Sequence, residues 1–322
     1  MATSRVVLCP GQGAQSVGMG RAWFESSSVA AEVFARADRV VGSRLGGGMT
    51  LSELCFNGPG DTLNRTDAAQ PAIFTASVAC FRALEANGTV TVAAFAGLSL
   101  GEYTALHLSG AIEFEAALEL VVLRGRAMQD AAEASKGSMV ALIGADEAQA
   151  EAVCAEAARG GGEGEVLVCA NFNAPGQIVL SGHASACDRA VQVAETMGLK
   201  ATRLQVAGAF HSPLMAPAAE RLQAALVKTP IKAGDVPVVS NVTARPHEEG
   251  PGGPDQMRAR LVQQLTMPVR WAQSCAWKVS AYPSASFEYH ELAPGKVLSG
   301  LMRRIDRGTK VVNHDEPAAA PA

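Results

Sequence analysis

Short apolar runs alternate along the chain with longer stretches whose apolar residues recur at helical spacing. Residues 5–9 (RVVLC) form a run that a proline and a glycine end, and residues 92–95 (VAAF) form another of strand length. This alternation predicts an α/β domain with a mainly parallel sheet. Helices are predicted at 27–41, at 71–88, where Pro71 is expected to begin the helix, and at 113–134.

The pattern changes over residues 136–204. The order there is strand, helix, strand, strand, helix, strand, which is the ferredoxin-like arrangement. We therefore predict a small ferredoxin-like domain of residues 136–204 inserted into a larger α/β domain of residues 1–135 and 205–322. Its strands are predicted at 138–144, 166–170, 177–182 and 200–206, and its helices at 145–160 and 183–198. In the larger domain, strands are then predicted at 236–243 and 284–292, and helices at 216–230 and 295–305.

Composition and charge exclude several classes of protein. Of the 322 residues, 48% are hydrophobic and 18% are charged, as in soluble globular proteins. A net charge of −4 argues against a general electrostatic attraction to nucleic acid. No apolar run approaches the roughly 18 residues of a membrane helix, and the N-terminus lacks the features of a secretory signal. The seven cysteines and six histidines show neither Cys-x-x-Cys pairs nor metal-ligand spacing, so we expect a cytoplasmic protein with reduced thiols and no metal.

A candidate nucleophile lies in residues 95–105 (FAGLSLGEYTA), where Ser99 stands between Gly97 and Gly101. An apolar strand precedes it and a predicted helix follows, which is the context of a nucleophile elbow. In such an elbow a strained turn lifts the serine hydroxyl above the sheet, and the next N–H can meet a developing oxyanion. The alternative is that the small residues only let strand and helix pack closely.

A serine nucleophile needs a general base, and His211 is the first candidate. It follows the strand predicted at 200–206, in a loop of small residues and proline (VAGAFHSPLM), where functional histidines are common. It could equally be an ordinary loop histidine, and His290 in EYHELAPG is its one serious competitor. Between Ser99 and His211 no acid occupies an obvious strand-end loop. A backbone or amide carbonyl therefore remains as the group that could orient the imidazole.

Two other features could contact a reacting acyl group. Residues 9–20 (CPGQGAQSVGMG) lack the spacing of phosphate-binding loops. They form either a tight turn or half of an oxyanion hole, through the backbone N–H of Gln12. Arg124 lies among apolar residues of a predicted helix, where an unpaired charge is costly. It is either part of a structural salt bridge or a bidentate clamp for a substrate carboxylate.

Taken together, these stretches resemble one family, the malonyl-CoA:acyl carrier protein transacylases of fatty-acid synthesis. Eight motifs follow the order of that family from residue 10 to about residue 305, which is nearly the whole chain. One such motif would be weak evidence, whereas eight in order are specific. They are PGQGAQSVGMG, GLSLGEYTAL, LRGRAMQ, NFNAPGQIVLSG, GAFHSPLM, PVVSNVTA, QLTMPVRW and APGKVLSGLMRRI.

The resemblance implies a ping-pong transfer of malonyl from malonyl-CoA to the phosphopantetheine thiol of acyl carrier protein. Both molecules act as substrates, and no cofactor is expected. The larger domain would be hydrolase-like. Ser99 would be the nucleophile and His211 the general base, oriented by the backbone carbonyl of Gln264. The backbone N–H groups of Gln12 and Leu100 would form the oxyanion hole. The substrate-binding residues would be Arg124, for the malonyl carboxylate, with Phe210, Met128 and Asn173.

Three positions bear on substrate range. In related acyltransferases Ala-Phe-His-Ser accompanies malonyl and Ala-Ser-His accompanies methylmalonyl, so the ring of Phe210 favours the unbranched group. Leu98 stands where the family usually has a histidine, and Ala293 where it has a glycine. Neither belongs to the core mechanism, so both bear on rate and substrate range rather than on reaction type.

Acyl carrier protein is acidic, so the resemblance also implies a basic docking surface. The segment KVLSGLMRRIDRGTK supplies it, although a solvated helix face is the alternative. We expect a monomer that binds neither nucleic acid nor membrane. The candidate docking residues are Lys296, Arg303, Arg304 and Arg307.

Three other functions stay open at this point. A stand-alone polyketide-type acyltransferase would use the same chemistry and serve a different carrier. A serine esterase or thioesterase would pass the acyl group to water and release free malonate steadily without a carrier protein. A non-catalytic relative would only bind a carrier, and the joint presence of Ser99, His211, Arg124 and Gln12 argues against it.

Overall fold

The computed structural model describes residues 4–45, 48–88, 90–248, 250 and 252–318. Within these ranges, five strands form a sheet whose adjacent pairs are all parallel. They are β1 (Ser4–Cys9), β2 (Val92–Gly97), β7 (Val238–Val239), β8 (Phe287–Leu292) and β9 (Val311–His314). Their order is β7-β2-β1-β8-β9. The predicted α/β class with a mainly parallel sheet is confirmed.

A second sheet is antiparallel and consists of β3 (Gly137–Ile143), β4 (Leu167–Ala174), β5 (Gln177–His183) and β6 (Lys200–Arg203). Its strand order is β4-β5-β3-β6. Its element order is compatible with the predicted ferredoxin-like arrangement. The last strand ends at Arg203 rather than at residue 206, and the chain leaves the edge of the sheet after Leu204, whose N–H donates to the carbonyl of Met139 at 2.9 Å. Helix α8 (Glu147–Arg159) lies between β3 and β4 in the chain, and helix α9 (Ala184–Thr196) lies between β5 and β6.

Helices cover both faces of the parallel sheet, as such sheets require. Alternate residues of β1 enter different cores: Val7 packs in the larger one, and Val6 and Leu8 pack in the smaller one beside Trp271. The helices outside the antiparallel unit are α1 (Arg21–Ser26), α2 (Ser28–Val41), α3 (Leu51–Asn57), α4 (Gly60–Leu63), α5 (Thr66–Ala86), α6 (Gly101–Leu108), α7 (Phe114–Ser135), α10 (Ala216–Leu226), α11 (Gly253–Gln263), α12 (Trp271–Ala281) and α13 (Val297–Ile305).

Two further sequence-based boundaries were wrong. Helix α5 begins at Thr66, so Pro71 lies inside the helix and not at its start. The N–H of Thr66 donates to the side-chain oxygen of Gln129, a tertiary contact that fixes the helix start and that local patterns do not reveal. The strand predicted at 236–243 is only two residues long in β7, because the following residues turn toward the nucleophile elbow.

Within the described ranges, no helix is both long and apolar enough to span a membrane. No group of three or more histidine, cysteine, aspartate or glutamate side chains in those ranges could hold a metal ion.

Candidate active site

Ser99 lies in the turn between the end of β2 and the start of α6. Its φ of 52° is in the left-handed region, which is strained for a residue with a side chain. The flanking glycines make this turn possible. A Cβ on Gly97 would lie 1.8 Å from the carbonyl carbon of Gly101, and a Cβ on Gly101 would lie 2.1 Å from the carbonyl oxygen of Cys9. The strand–turn–helix geometry is therefore that of a nucleophile elbow.

The hydroxyl of Ser99 contacts the imidazole of His211, with 2.9 Å between Oγ and Nε2. The other ring nitrogen, Nδ1, is 2.7 Å from the backbone carbonyl oxygen of Gln264. A carbonyl can only accept, so Nδ1 carries the proton of the neutral ring and Nε2 presents a lone pair to the serine hydroxyl. His211 also has a left-handed φ, 56°, so both members of the pair are held in strained backbone.

His211 is almost completely buried. Burial, and to a lesser extent the charge of Arg124, lowers the pKa of His211 to about 4, while the hydrogen bond to Gln264 opposes the shift. The ring is therefore neutral at pH 7 and able to accept a proton.

The guanidinium of Arg124 lies directly behind the nucleophile, with 1% of the residue exposed. Nη2 donates to Ser99 Oγ at 3.0 Å and to Gln264 Oε1 at 2.8 Å, and Nη1 donates to Gln70 Oε1 at 2.6 Å. All three acceptors are neutral oxygens, and no carboxylate in the described ranges pairs with this guanidinium. The Nε of Arg124 has no partner among the described residues. The charge is therefore available to an anion that reaches Ser99.

A cavity of about 690 Å³ opens in front of Ser99. Leu98, at the position where the resembled family has a histidine, forms part of its wall. Leu100, Arg124 and Gln264 are almost fully buried and adjoin the cavity through Ser99, which Leu100 follows and which the other two contact. The predicted site residues that line it are Gln12, Ser99, Met128, Asn173, Phe210 and His211.

The two candidate oxyanion donors lie on adjacent turns. The N–H of Leu98 donates to the carbonyl of Cys9 at 3.1 Å, which holds the elbow against the turn that contains Gln12. Among the hydrogen bonds of the described residues, the backbone N–H groups of Gln12 and Leu100 have no acceptor. Both can therefore donate to a ligand.

His290 does not compete with His211. It lies on β8, where Nδ1 is 2.7 Å from Nε2 of His314 and Nε2 is 3.3 Å from the carboxylate of Glu288. His314 belongs to β9. These contacts engage both ring nitrogens of His290 away from Ser99.

Three supporting residues were missed by sequence reasoning. Asn241 binds the backbone of the elbow at two points. Its Oδ1 accepts from the N–H of Ser99 at 2.6 Å, and its Nδ2 donates to the carbonyl of Gly97 at 2.7 Å. Glu102, on the first turn of α6, is fully buried beside it, and His247 is buried against Glu102. The motif PVVSNVTA contains Asn241 and could have drawn attention to it.

The basic candidates at α13 differ in their contacts. Lys296, Arg303 and Arg307 are exposed. Arg304 is exposed as well, but it also holds α13 to the β4–β5 turn, because it donates to Gln177 Oε1 and to the carbonyls of Pro175 and Gly176. The start of α13 lies at the cavity, which Val297 and Leu301 help to line.

Comparison with known proteins gives one consistent result. Residues 6–287 match the family model described as an acyl transferase domain. The chain is 40% identical over 321 residues to the malonyl CoA-acyl carrier protein transacylase of Escherichia coli (strain K12), covering 99% of this chain and 98% of that one. It is similar to the structure of the malonyl CoA-acyl carrier protein transacylase from Coxiella burnetii, with a TM-score of 0.89, 37% identity and coverage of 98% and 95%. A malonyl-transacylase in complex with its type II PKS acyl-carrier protein is similar as well, with a TM-score of 0.89, 34% identity and coverage of 98% and 97%.

Proposed function

The chain belongs to the malonyl-CoA:acyl carrier protein transacylases of the acyl transferase domain family, and we propose that it works through an acyl-serine at Ser99. Ser99 Oγ attacks the thioester carbon of malonyl-CoA while His211 Nε2 takes the hydroxyl proton. A C–O bond forms, the C–S bond breaks, and CoA leaves as a thiol after receiving that proton. The phosphopantetheine thiol of acyl carrier protein then gives its proton to His211 and attacks the acyl-serine. A C–S bond forms, the C–O bond breaks, and His211 returns the proton to Ser99 Oγ.

The observation that carries this proposal is the position of Arg124. Its buried guanidinium lies 3.0 Å from Ser99 Oγ and has no carboxylate partner in the described ranges. A planar guanidinium binds a carboxylate through two parallel hydrogen bonds, so the acyl group that fits carries a terminal carboxylate. A malonyl thioester has one, whereas the substrate of a general esterase has none.

The oxyanion hole of the proposal consists of the backbone N–H groups of Gln12 and Leu100. Both lack an acceptor among the described residues and adjoin the elbow. Leu100 directly follows the nucleophile, as in nucleophile elbows generally. Donors fixed in this way stabilise the tetrahedral oxyanion without reorganisation during the reaction.

Phe210, Met128 and Asn173 are proposed to surround the acyl group and the start of the pantetheine arm. All three line the cavity, and the Oδ1 of Asn173 is buried there with no partner among the described residues. The ring of Phe210, adjacent in sequence to the base, would exclude an α-methyl branch. No step of this proposal uses a cofactor.

The family acts on acyl carrier protein, and we propose that this chain receives it at the rim formed by α13. Lys296, Arg303 and Arg307 present exposed charge to an acidic partner there. Arg304 contributes less, since it is held by the β4–β5 turn. We further propose that the protein acts as a cytoplasmic monomer.

A two-domain division is proposed with boundaries at 136 and 204, leaving residues 1–135 and 205–322 as the larger unit. The cavity supports it, because Asn171 and Val179 line one side from the antiparallel sheet and Ser99 lines the other from the turn after β2. The terminal residues 1–3 and 319–322, which the division includes, lie outside the described ranges.

Intact-mass measurement tests the proposed function directly. With malonyl-CoA alone, the protein should gain one malonyl group and hold it, since the acyl-enzyme awaits a thiol. Adding phosphopantetheinylated acyl carrier protein should return the protein to its original mass and shift the carrier by the same increment. Steady release of malonate without carrier, at a rate equal to transfer, would contradict the proposal and indicate a thioesterase.

The pH dependence of acylation should report the lowered pKa of His211. A lowered pKa keeps the base neutral to more acidic pH, so kcat/KM should stay level from about pH 8 to about pH 5 and fall to half near pH 4. Stopped-flow acylation with malonyl-CoA measures this profile, and circular dichroism confirms folding at each pH. A half-point near the ordinary histidine pKa of about 6.5 would show that burial does not lower the pKa of His211.

A further inference from the structure

Glu102 is a fully buried carboxylate one turn beyond the nucleophile, and its bonds converge on the reacting pair. Oε2 accepts from the side-chain amide of Gln264 at 2.6 Å and from the backbone N–H of Asn241 at 3.1 Å. Oε1 is 2.8 Å from Nε2 of His247. The proposed mechanism gives none of these contacts a role.

Two of the three partners hold Ser99 or His211 directly. Asn241 fixes the elbow through the N–H of Ser99 and the carbonyl of Gly97. Gln264 donates to the carbonyl of Ser99 at 3.0 Å, and its own backbone carbonyl accepts from His211 Nδ1. Glu102 thus joins the segment that holds the nucleophile to the segment that holds the base, although these residues lie far apart in sequence.

The side-chain amide of Gln264 lies between opposite charges. Its oxygen accepts from Arg124, and its NH₂ group donates to Glu102. An amide in this position has one favoured orientation, because reversing it would place its oxygen against a carboxylate and its N–H against a guanidinium. The charge of Glu102 therefore fixes the rotamer of Gln264 and so the residue whose carbonyl orients His211.

His247 completes the set from a third segment. Its ring is buried, and its backbone N–H donates to the carbonyl of Val238 in β7 at 2.8 Å. The edge strand of the parallel sheet is thereby connected to the carboxylate as well. Three groups from separate parts of the chain meet at two oxygens, and an ionised carboxylate fits them because both of its oxygens accept hydrogen bonds.

We infer that Glu102 is a positioning residue for the acyl transfer. It holds Ser99 and His211 at the correct distance and orientation through Asn241 and Gln264. The inference rests on the proposed roles of Ser99 and His211. Both residues are in strained backbone conformations, and such conformations persist only where the surroundings over-determine them. The carboxylate supplies that constraint without touching the substrate.

The test compares Glu102→Gln with Asp38→Asn in the full-length protein. Asp38 is a matched control, since it accepts from the N–H and hydroxyl of Ser52 and joins α2 to α3 away from the cavity. Glu102→Gln should lower kcat for transfer from malonyl-CoA to acyl carrier protein by about 10²-fold, the loss typical of misplaced reacting groups, with KM changed by less than about twofold. Asp38→Asn should retain both parameters.

A spectroscopic readout separates positioning from general destabilisation. In protein labelled with ¹⁵N-histidine, the Nδ1 proton of His211 should give a resonance that exchanges slowly with water. Glu102→Gln should shift or broaden that resonance, and Asp38→Asn should leave it unchanged. If Glu102→Gln does not fold, Glu102→Asp keeps the charge but shortens the reach, and should show the same loss in kcat to a smaller degree.

The outcomes distinguish this inference from the function on which it rests. Wild-type kcat and an unchanged His211 resonance in Glu102→Gln would overturn the positioning role while the acyl-serine mechanism stands. An acyl-enzyme that forms without Ser99 would overturn the mechanism itself.

Discussion

Replacing Ser99 by alanine is expected to abolish acyl-enzyme formation from malonyl-CoA. The variant lacks the oxygen that lies 2.9 Å from the base and 3.0 Å from the guanidinium, and no other hydroxyl in the described part of the chain contacts His211 Nε2. Loss of a nucleophile typically costs several orders of magnitude, so the transfer rate should fall by at least about 10³-fold. Intact mass after incubation with malonyl-CoA measures the adduct, and the same samples with acyl carrier protein measure transfer.

Ser109→Ala is the matched control for this experiment. Ser109 is also buried, at the other end of α6, and its hydroxyl donates to the carbonyl of Leu106 at 3.0 Å. This variant should label as the unmodified protein does. A malonyl adduct that persists in Ser99→Ala, located by peptide mapping, would refute the proposed nucleophile.

The fold was predictable from the sequence where the pattern of neighbouring apolar and polar residues determines the secondary structure. The apolar run of β1 is buried on both faces, and parallel strands packed between helices have this pattern. Prediction from the local residue pattern fails at the end of β7. Residues 236–243 contain β-branched side chains typical of a strand, but pairing ends at Val239 because Asn241 turns to bind the elbow. A tertiary requirement overrides the local preference there.

For the candidate site, sequence reasoning could nominate those residues whose signal lies in the neighbouring residues of the chain. Ser99 could be placed because glycine spacing, strand and helix are all adjacent to it. The pairing of Ser99 with His211, 112 residues away, could not be worked out from spacing and came from the family resemblance. Glu102 gave no signal, since a glutamate in the first turn of a helix is ordinary in sequence. Its role depends on donors from three distant segments.

Arg124→Ala is expected to remove the preference for malonyl over acetyl. A malonyl carboxylate would lose a pair of charge-assisted hydrogen bonds, whose loss in a buried site costs about 2–5 kcal/mol. Since every 1.4 kcal/mol is a factor of ten, kcat/KM for malonyl-CoA should decrease by about 30-fold to about 4,000-fold. An acetyl group makes no such bonds, so kcat/KM for acetyl-CoA should change far less. Competition between malonyl-CoA and acetyl-CoA, read by intact mass, gives the ratio directly.

The same variant should also move the pH profile, because the charge of Arg124 helps to lower the pKa of His211. Without that charge the imidazolium is less disfavoured, so the acid half-point of acylation by acetyl-CoA should rise above about pH 4. Arg126→Ala is the control, since Arg126 lies one position beyond Gly125 on α7 and pairs at the surface with Asp67 and Asp130. It should alter neither selectivity nor pH profile. An Arg124→Ala protein that is folded by circular dichroism and keeps the malonyl preference would assign the guanidinium a purely structural role.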